Sequence, residues 1–305
     1  MVVDAHVHIF KEIKTQPGSE AKRDLGYGAV MAGDRKVRVL PPLNERTTHT
    51  AEMLIAGMDW TGVEKAVLLQ GPFYGECNQL VADAVQRYPD RLVGAAYFDP
   101  WASSRSEFDT VFEGSSFRAL KIEFTASGLS GIHRGARIDL ESITWLWDEL
   151  EKRRVVLAID LGAPGDFSYQ TDALRGIAET HPELRIVVCH LALPKPAIEE
   201  RPELWQLWKD QIDLGRLENV WFDSSAIPYY IAEEGYPFPT VGRYLHIAVD
   251  RIGPAKILWG TDIPALLTVA TYPQLVKMAR LHSGFLAAEE QAWFLGKNAE
   301  LVYGM

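Results

Sequence analysis

The chain begins with a stretch that decides both the fold and the chemistry: residues 2–9 read VVDAHVHI. A short apolar run of this kind predicts a β-strand, whose side chains alternate between two faces. His6 and His8 therefore share one face, and Val7 lies on the other. Two neutral imidazoles a few ångströms apart can bind a divalent metal, whereas two protonated rings would repel each other. A lone His-x-His pair is weak evidence, so the case depends on what the rest of the chain places beside it.

Composition excludes several classes of protein. The chain has 305 residues, of which 47% are hydrophobic and 24% charged, and its net charge of −10 argues against a nucleic-acid partner. Two cysteines, Cys77 and Cys189, cannot build a disulfide framework or a cysteine zinc cluster, which is typical of a reducing compartment. The sequence shows neither a signal peptide nor a membrane-spanning apolar run. We therefore expect a cytoplasmic protein without a membrane partner.

Eight short β-rich runs recur along the chain. Most are continuously apolar rather than alternating, as expected for parallel strands that are covered on both faces. The runs are Val2–His8, Lys65–Gln70, Leu92–Phe98, Ala119–Phe124, Val155–Asp160, Arg185–His190, Val220–Asp223 and Ile257–Asp262.

Helical patterns separate these runs. They cover Thr50–Trp60, Asn78–Tyr88, Leu140–Arg153, Tyr169–Thr180, Val241–Ile252, Pro273–His282 and Ala288–Val302. Eight strands alternating with helices predict an α/β protein, a single (β/α)8 TIM barrel domain over residues 1–305. The alternative is an open doubly wound sheet, which usually carries a glycine-rich loop after its first strand, and the sequence has none there.

Three long connections interrupt the pattern, at about residues 9–48, 125–139 and 224–239. Each follows a strand, so in a barrel all three lie at the C-terminal mouth, where active sites are found. Since long ordered loops are uncommon unless they serve a function, we expect them to form substrate walls and a lid.

Polar residues end most of the predicted strands, and a barrel would bring them to one mouth. Imidazoles and carboxylates gathered in this way suit a Zn²⁺-like ion. The residues are His6 and His8 on the first strand, Lys121 and Glu123 on the fourth, Asp160 on the fifth, His190 on the sixth, Asp223 on the seventh and Asp262 on the eighth.

Three motifs in the chain resemble those of the amidohydrolase superfamily. In order, they are VDAHVH at 3–8, CHL at 189–191 and WGTD at 259–262. The resemblance is to its amidohydrolase-related branch and extends from residue 2 to about residue 265. That branch includes lactone hydrolases, pyrone-dicarboxylate hydrolases and non-oxidative decarboxylases. The motifs specify the superfamily much better than the substrate.

The resemblance implies roles for individual residues. His6 and His8 would be metal ligands, and His190 a ligand or a catalytic group. Asp262 would be both a ligand and the base that takes a proton from the attacking water. The implied cofactor is a divalent metal, zinc first and manganese second, although some lactone-cleaving relatives use no metal.

One position departs from the family pattern. Many metal-dependent members have a histidine at the end of the fifth strand, where this chain has Asp160. Asp160 could be a ligand, a supporting residue or a structural one, and Glu123 is a further candidate ligand. Lys121 could be the carbamylated bridge of binuclear members, but without a strand-five histidine we favour a cation for a substrate carboxylate.

Cations and aromatic residues near the predicted mouth suggest an anionic small-molecule substrate with a planar or ring-shaped part. The cations are Arg118, Lys121 and Arg134, and the aromatic residues are Trp101, Tyr74 and Tyr229. By parity we expect Asp4 on the face of the histidine pair, most simply in a structural hydrogen bond. We expect Cys189, next to His190, to point outward to the helices.

These observations predict a metal-assisted hydrolase that opens a lactone or a related carboxylated molecule, with Asp262 as general base. The alternatives are a metal-dependent decarboxylase and a metal-free lactonase. A non-catalytic binding protein is disfavoured by the intact set His6, His8, His190 and Asp262. A homodimer is compatible with the family.

Overall fold

The computed structural model describes residues 1–16, 18–124 and 136–305. Eight parallel strands form one sheet in the order β1-β5-β6-β7-β8-β9-β10-β11. Hydrogen bonds from Ala5 N to Trp259 O (2.9 Å) and from His8 N to Ile263 O (2.8 Å) join the two ends of this sheet. The sheet is therefore closed, and the predicted (β/α)8 barrel is confirmed. Its strands are β1 (Val3–Val7), β5 (Lys65–Leu68), β6 (Leu92–Tyr97), β7 (Ala119–Glu123), β8 (Val156–Asp160), β9 (Ile186–Val188), β10 (Val220–Asp223) and β11 (Ile257–Leu258).

Helices surround the barrel, and four of them lie where we predicted none. Two are longer: α3, which starts with a Ser104–Glu107 capping box, and α7, which has Pro202 in its first turn; both are recognised start signals. The other two, α6 and α8, are single turns of four residues. The helices of the described residues are α1 (Ala51–Thr61), α2 (Asn78–Arg87), α3 (Arg105–Phe112), α4 (Thr144–Arg153), α5 (Thr171–Thr180), α6 (Pro196–Glu199), α7 (Pro202–Ile212), α8 (Ile227–Tyr230), α9 (Pro239–Ile252), α10 (Tyr272–His282), α11 (Ala288–Ala292) and α12 (Asn298–Tyr303). A π-helical turn, Trp293–Lys297, links α11 to α12. No described helix has the length and apolar character needed to cross a bilayer.

Small and β-branched side chains fill the barrel interior, among them Ala5, Ala95, Ala119 and Ala158. Val302 and Tyr303 from the C-terminal helix α12 belong to the same cluster, so this helix closes the end of the barrel opposite the mouth. A larger apolar layer lies between the strands and the outer helices.

A bulge in β1 changes the parity of its side chains. Asp4 pairs with Ala66 but Val7 pairs with Leu68, so one extra residue is inserted between them. Ala5 and His6 therefore both face the barrel interior, and Asp4 faces outward, where it accepts a hydrogen bond from Tyr272 of α10. The expectation that Asp4 shares the face of the histidine pair was wrong, because simple alternation does not survive a bulge.

Asp4 ties β1 to the segment after β11 and to the outer helix. Its carboxylate accepts hydrogen bonds from Thr261 N (2.8 Å), Thr261 Oγ1 (2.7 Å) and Tyr272 Oη (2.9 Å). We expect Tyr272→Phe to lower the free energy of unfolding by about 1–2 kcal/mol, because one buried hydrogen bond is lost. Urea unfolding measures this effect, and an unchanged midpoint would show that the bond contributes nothing.

The first long connection contains a three-stranded antiparallel sheet that the sequence analysis did not predict. Its strands are β2 (Lys22–Gly26), β3 (Ala29–Ala32) and β4 (Arg35–Arg38). A separate apolar cluster packs this small sheet over the barrel. It includes Phe10, Val30, Val39, Leu40 and Tyr74. The connection at 224–239 contains α8, and most of the connection at 125–139 lies outside the described residues.

Candidate active site

Three ligand-type atoms meet at the mouth: Nε2 of His6, Nε2 of His8 and Oδ1 of Asp262. Asp262 Oδ1 lies 2.8 Å from His8 Nε2 and 3.7 Å from His6 Nε2, and all three atoms lie within 4.8 Å of one another. The structure thus brings together residues 6, 8 and 262, as the barrel fold requires.

The two histidines are oriented by hydrogen bonds at their other ring nitrogens. His8 Nδ1 donates to Leu69 O (2.9 Å), and His6 Nδ1 donates to Asp223 Oδ2 (3.0 Å). This arrangement leaves the Nε2 edges of both rings directed toward Asp262, which is how metal-binding histidines are usually held.

His6 provides the test of whether these residues suit a metal. Burial lowers the pKa of His6 to about 4 despite the opposing charge of Asp223, so its ring is neutral at pH 7. Its Nε2 is buried and has no hydrogen-bond partner within the described part of the chain. A neutral, buried and unpartnered imidazole nitrogen beside a second one and a carboxylate is a donor set that fits a divalent cation.

Asp262 adopts a backbone conformation that few residues accept, with φ of 67°. The bond from its N–H to His6 O (2.7 Å) holds it there. Burial opposes ionisation, but the hydrogen bond from His8 and the nearby charges of His6 and His190 lower the pKa of Asp262 to about 2. Its side chain is 19% exposed, so an ionised carboxylate reaches the cavity.

His190 lies on a left-handed turn. Residues 190–193 all have φ between 50° and 59°, a conformation that costs roughly 1–2 kcal/mol per residue. Trp208 Nε1 donates to Leu191 O (2.9 Å) and Tyr169 Oη donates to Ala192 O (3.2 Å), which holds the turn in place. Strain of this kind persists where the surroundings fix it, often at functional sites.

The turn gives His190 a set of partners different from that of His6 and His8. Its Nδ1 lies 2.9 Å from Ser225 Oγ, and its Nε2 lies 3.5 Å from Asp160 Oδ2. Burial opposes protonation, but the hydrogen bond and charge of Asp160 raise the pKa of His190 to about 9. The ring also stacks on His6, with centroids 4.8 Å apart.

A cavity of about 280 Å³ opens above these groups. Lys121 and Glu123 form an ion pair in it, with Nζ and Oε2 3.5 Å apart. Burial of Lys121 opposes its charge, but Glu123 and the neighbouring carboxylates raise the pKa of Lys121 above its usual value. The side chains that line the cavity are His8, Val37, Val39, Phe73, Tyr74, Lys121, Glu123, Asp160, His190, Tyr229, Tyr230, Asp262 and Ala265.

The predicted additional ligands lie in the cavity but apart from the group of three. Asp160 faces His190, and Glu123 faces Lys121. Tyr74 and Tyr229 line the cavity as expected of substrate-binding residues, and their roles stay predictions.

One expected position was wrong. Arg118 precedes β7 and donates a hydrogen bond to Gly304 O at the closed end of the barrel, so it lies at the opposite end from the mouth. This error comes from treating every residue near a strand as a mouth residue. Trp101 follows β6 on the mouth side and packs on Phe124, with centroids 4.9 Å apart; it is not among the described residues that line the cavity, and its role stays a prediction. Arg134 lies outside the described residues.

Cys189 also differs from its expected position, because it belongs to the cluster that fills the barrel interior. Strict alternation would turn it outward if His190 faced inward. The left-handed turn breaks that alternation, so Cys189 and His190 both lie on the inside.

Sequence reasoning left three supporting groups unassigned. Asp223, for which we had no firm role, accepts hydrogen bonds from His6 Nδ1 (3.0 Å), His190 N (3.1 Å) and Ser225 N (3.1 Å). Ser225 and the carbonyl of Leu69 were not identified, and a backbone carbonyl carries no sequence signal. Lys195 was also missed, although it is the first cation after His190.

Fold and site together define a barrel enzyme with a histidine–aspartate centre at the mouth. The family model described as Amidohydrolase matches residues 3–305, and the chain belongs to this family. It is an amidohydrolase-family enzyme, in agreement with the motifs at residues 3–8, 189–191 and 259–262.

Several known proteins are similar to the chain in sequence or in fold. The chain is 25% identical over 265 residues to 4-sulfomuconolactone hydrolase of Rhizobium radiobacter, covering 86% of this chain and 75% of that protein. A zinc-bound amidohydrolase from Burkholderia multivorans superposes with a TM-score of 0.75 at 16% identity, over 100% of this chain and 99% of that one. A probable 2-pyrone-4,6-dicarboxylic acid hydrolase from Acinetobacter baumannii, with citric acid bound, gives a TM-score of 0.71 at 19% identity over the same shares.

Proposed function

We propose that this enzyme hydrolyses the ring ester of a small lactone that carries at least one acidic group. The observation that carries the proposal is the meeting of His6, His8 and Asp262, because His8 and Asp262 line a cavity that also holds Lys121. Two similar proteins support the substrate class, since one is named for a sulfonated lactone and the other for a pyrone dicarboxylate.

Asp262 is the proposed general base. Its low pKa keeps it ionised at neutral pH, and its partly exposed carboxylate can take a proton from a water molecule as that water attacks the ester carbonyl. The same proton then goes to the ring oxygen as the carbon–oxygen bond breaks, so the product is a hydroxy acid or its keto tautomer.

His190 is the proposed donor to the carbonyl oxygen. Because Ser225 Oγ donates to Asp223 Oδ1, it accepts the proton of His190 Nδ1, and the His190 Nε2 edge lies toward the cavity. A positioned donor stabilises the negative charge that develops on the carbonyl oxygen as water attacks.

His6, His8 and Asp262 would hold a divalent cation, and we propose zinc, with manganese as the alternative. When bound, such an ion lowers the pKa of a coordinated water from 15.7 toward about 7 and polarises carbonyl oxygens. The zinc-bound neighbour from Burkholderia multivorans and the unpartnered Nε2 of His6 support this choice.

The purified enzyme should be tested with 4-sulfomuconolactone and 2-pyrone-4,6-dicarboxylate. Ring opening changes the ultraviolet absorbance of the conjugated ring, and chromatography identifies the acid formed. CO₂ release without ring opening would show the decarboxylase that the family resemblance also allows. No reaction with either compound or with simpler acidic lactones would overturn the proposal.

Lys121 is the proposed anchor for the acidic group nearest the ring. We expect Lys121→Met to raise KM for an anionic lactone about tenfold, the effect of losing roughly 1.4 kcal/mol of binding free energy. The methyl ester of the same lactone is the neutral control, and Lys121→Met should raise its KM much less. Equal losses for the acid and the ester would show that Lys121 does not recognise the charge.

A further inference from the structure

A second cavity of about 600 Å³ adjoins the first at the mouth. Tyr229 and Tyr230 line both cavities and therefore form the partition between them. Their rings are nearly perpendicular, with centroids 5.6 Å apart. The outer cavity also contains Lys195, from the loop that follows His190.

Lys195 differs from Lys121 and Lys22, two other lysines near the mouth. Lys121 is paired with Glu123, and Lys22 donates to Ser19 Oγ (3.2 Å) and Pro72 O (3.3 Å). Within the described residues Lys195 makes no hydrogen bond or ion pair; its ammonium lies over the ring of Tyr230, 4.4 Å from the centroid. A half-buried cation over an aromatic face still has N–H groups on the side away from the ring that a ligand can accept from.

Lys195 is the positively charged side chain among the residues that line the outer cavity. Burial lowers the pKa of Lys195, against the opposing charges of Asp166 and Asp160, so a bound anion would offset the cost of burying the ammonium. Glu233 and Glu234 also line the outer cavity, but both are exposed, and Glu234 accepts hydrogen bonds from Thr240 N and Oγ1. Within this cavity an anion is attracted by the Lys195 ammonium and repelled by the two glutamates, which lie in the solvent-exposed part of the lining.

We propose that Lys195 and the faces of Tyr229 and Tyr230 form an outer anion subsite that binds a second acidic group of the substrate, a carboxylate or a sulfonate, while the ring lies in the inner cavity. This assignment rests on the proposed function for the position of the ring. It makes Lys195 the residue that selects dianionic over monoanionic lactones.

The test compares binding of a dianion with that of the matching monoanion by isothermal titration calorimetry. One pair is 2-pyrone-4,6-dicarboxylate with 2-pyrone-6-carboxylate, and the other is 4-sulfomuconolactone with muconolactone. The variants are Lys195→Met and Lys195→Arg. Lys256→Met is the control, because Lys256 is another half-buried lysine over an aromatic ring, 4.5 Å from the centroid of Trp221, on the segment that enters β11 from the closed end. Unlike Lys195, it donates to Leu217 O (2.8 Å) and Glu218 O (2.8 Å). Asp262→Asn in each background prevents turnover during the titration.

We expect Lys195→Met to weaken binding of the dianion about tenfold and of the monoanion less than twofold. Lys195→Arg should restore most of the difference, and Lys256→Met should bind as the parent does. If the loss of affinity occurs in the pyrone pair, the subsite binds a carboxylate; if it occurs in the muconolactone pair, the subsite binds a sulfonate. Two results would overturn the subsite. One is that Lys195→Met weakens binding of the dianion and of the monoanion equally in both pairs. The other is that the parent binds neither dianion more tightly than the matching monoanion.

The subsite and the proposed reaction can fail separately. If Lys195 selects dianions but the enzyme opens neither ring, the subsite is supported and the proposed lactone hydrolysis is wrong. If the enzyme opens a ring and Lys195→Met leaves its KM unchanged, the reaction is supported and the subsite is wrong. A change confined to kcat would also count against the subsite, since binding of a distal acidic group is expected to act on KM.

Discussion

Asp262→Asn is expected to lower kcat for lactone hydrolysis by about 10²–10⁴-fold, the usual contribution of a general base. The amide keeps the shape of the carboxylate but cannot take a proton from water. Steady-state kinetics on the lactone that gives the highest wild-type rate measure the loss, and thermal unfolding shows whether the fold is retained.

The control for Asp262→Asn is Asp210→Asn, which makes the same chemical change on the exposed side of helix α7. That variant should keep wild-type kcat. If Asp262→Asn retains more than a tenth of wild-type kcat, Asp262 is not the proton carrier, and the remaining candidate carboxylates of the cavity are Glu123 and Asp160.

His8→Ala is expected to abolish stoichiometric zinc binding, because it removes one of three donors that lie within 4.8 Å of one another. Asp223→Asn should have a smaller effect, about 10–100-fold in affinity, since Asp223 is not one of the three donors but orients one of them, His6, through its Nδ1. Metal analysis of protein equilibrated with Zn²⁺ and then dialysed gives the occupancy, and competition with a chelator gives the affinity.

His246→Ala is the control for metal binding, because His246 is an exposed histidine on α9. It should leave zinc binding unchanged. Undiminished occupancy in His8→Ala would remove the proposed ligand set and favour a metal-free reaction in which Asp262 acts alone.

Much of the fold could be predicted because it follows from local patterns. Each barrel strand is a short apolar run, and the helices between them have apolar residues at helical spacing, so the eight-fold alternation is visible in the order of residues alone. The small sheet β2–β4 was missed because its polar strands, such as Arg35–Arg38, have no core face of the usual kind. It is ordered through the apolar cluster around Phe10 and Tyr74.

The site was predictable only where a motif implied it. His6, His8 and Asp262 came from motifs and do meet. Arg118 was misplaced because a strand has two ends, and only the direction of the strand decides which one reaches the mouth. Lys195 was overlooked because its proposed role depends on its contact with Tyr230. That residue is thirty-five positions away in the chain, and its ring centroid is 4.4 Å from the Lys195 ammonium.

The sequence by itself determined the barrel, the family and the motif residues that meet at its mouth, since periodicity and motif order are properties of the chain. Tertiary structure alone decided which way those groups point. The bulge in β1 and the left-handed turn at residues 190–193 both break strand alternation. Each is held by bonds from distant residues, such as Tyr272 to Asp4 and Trp208 to Leu191. Such conformations are locally unfavourable, so only contacts made after folding can select them.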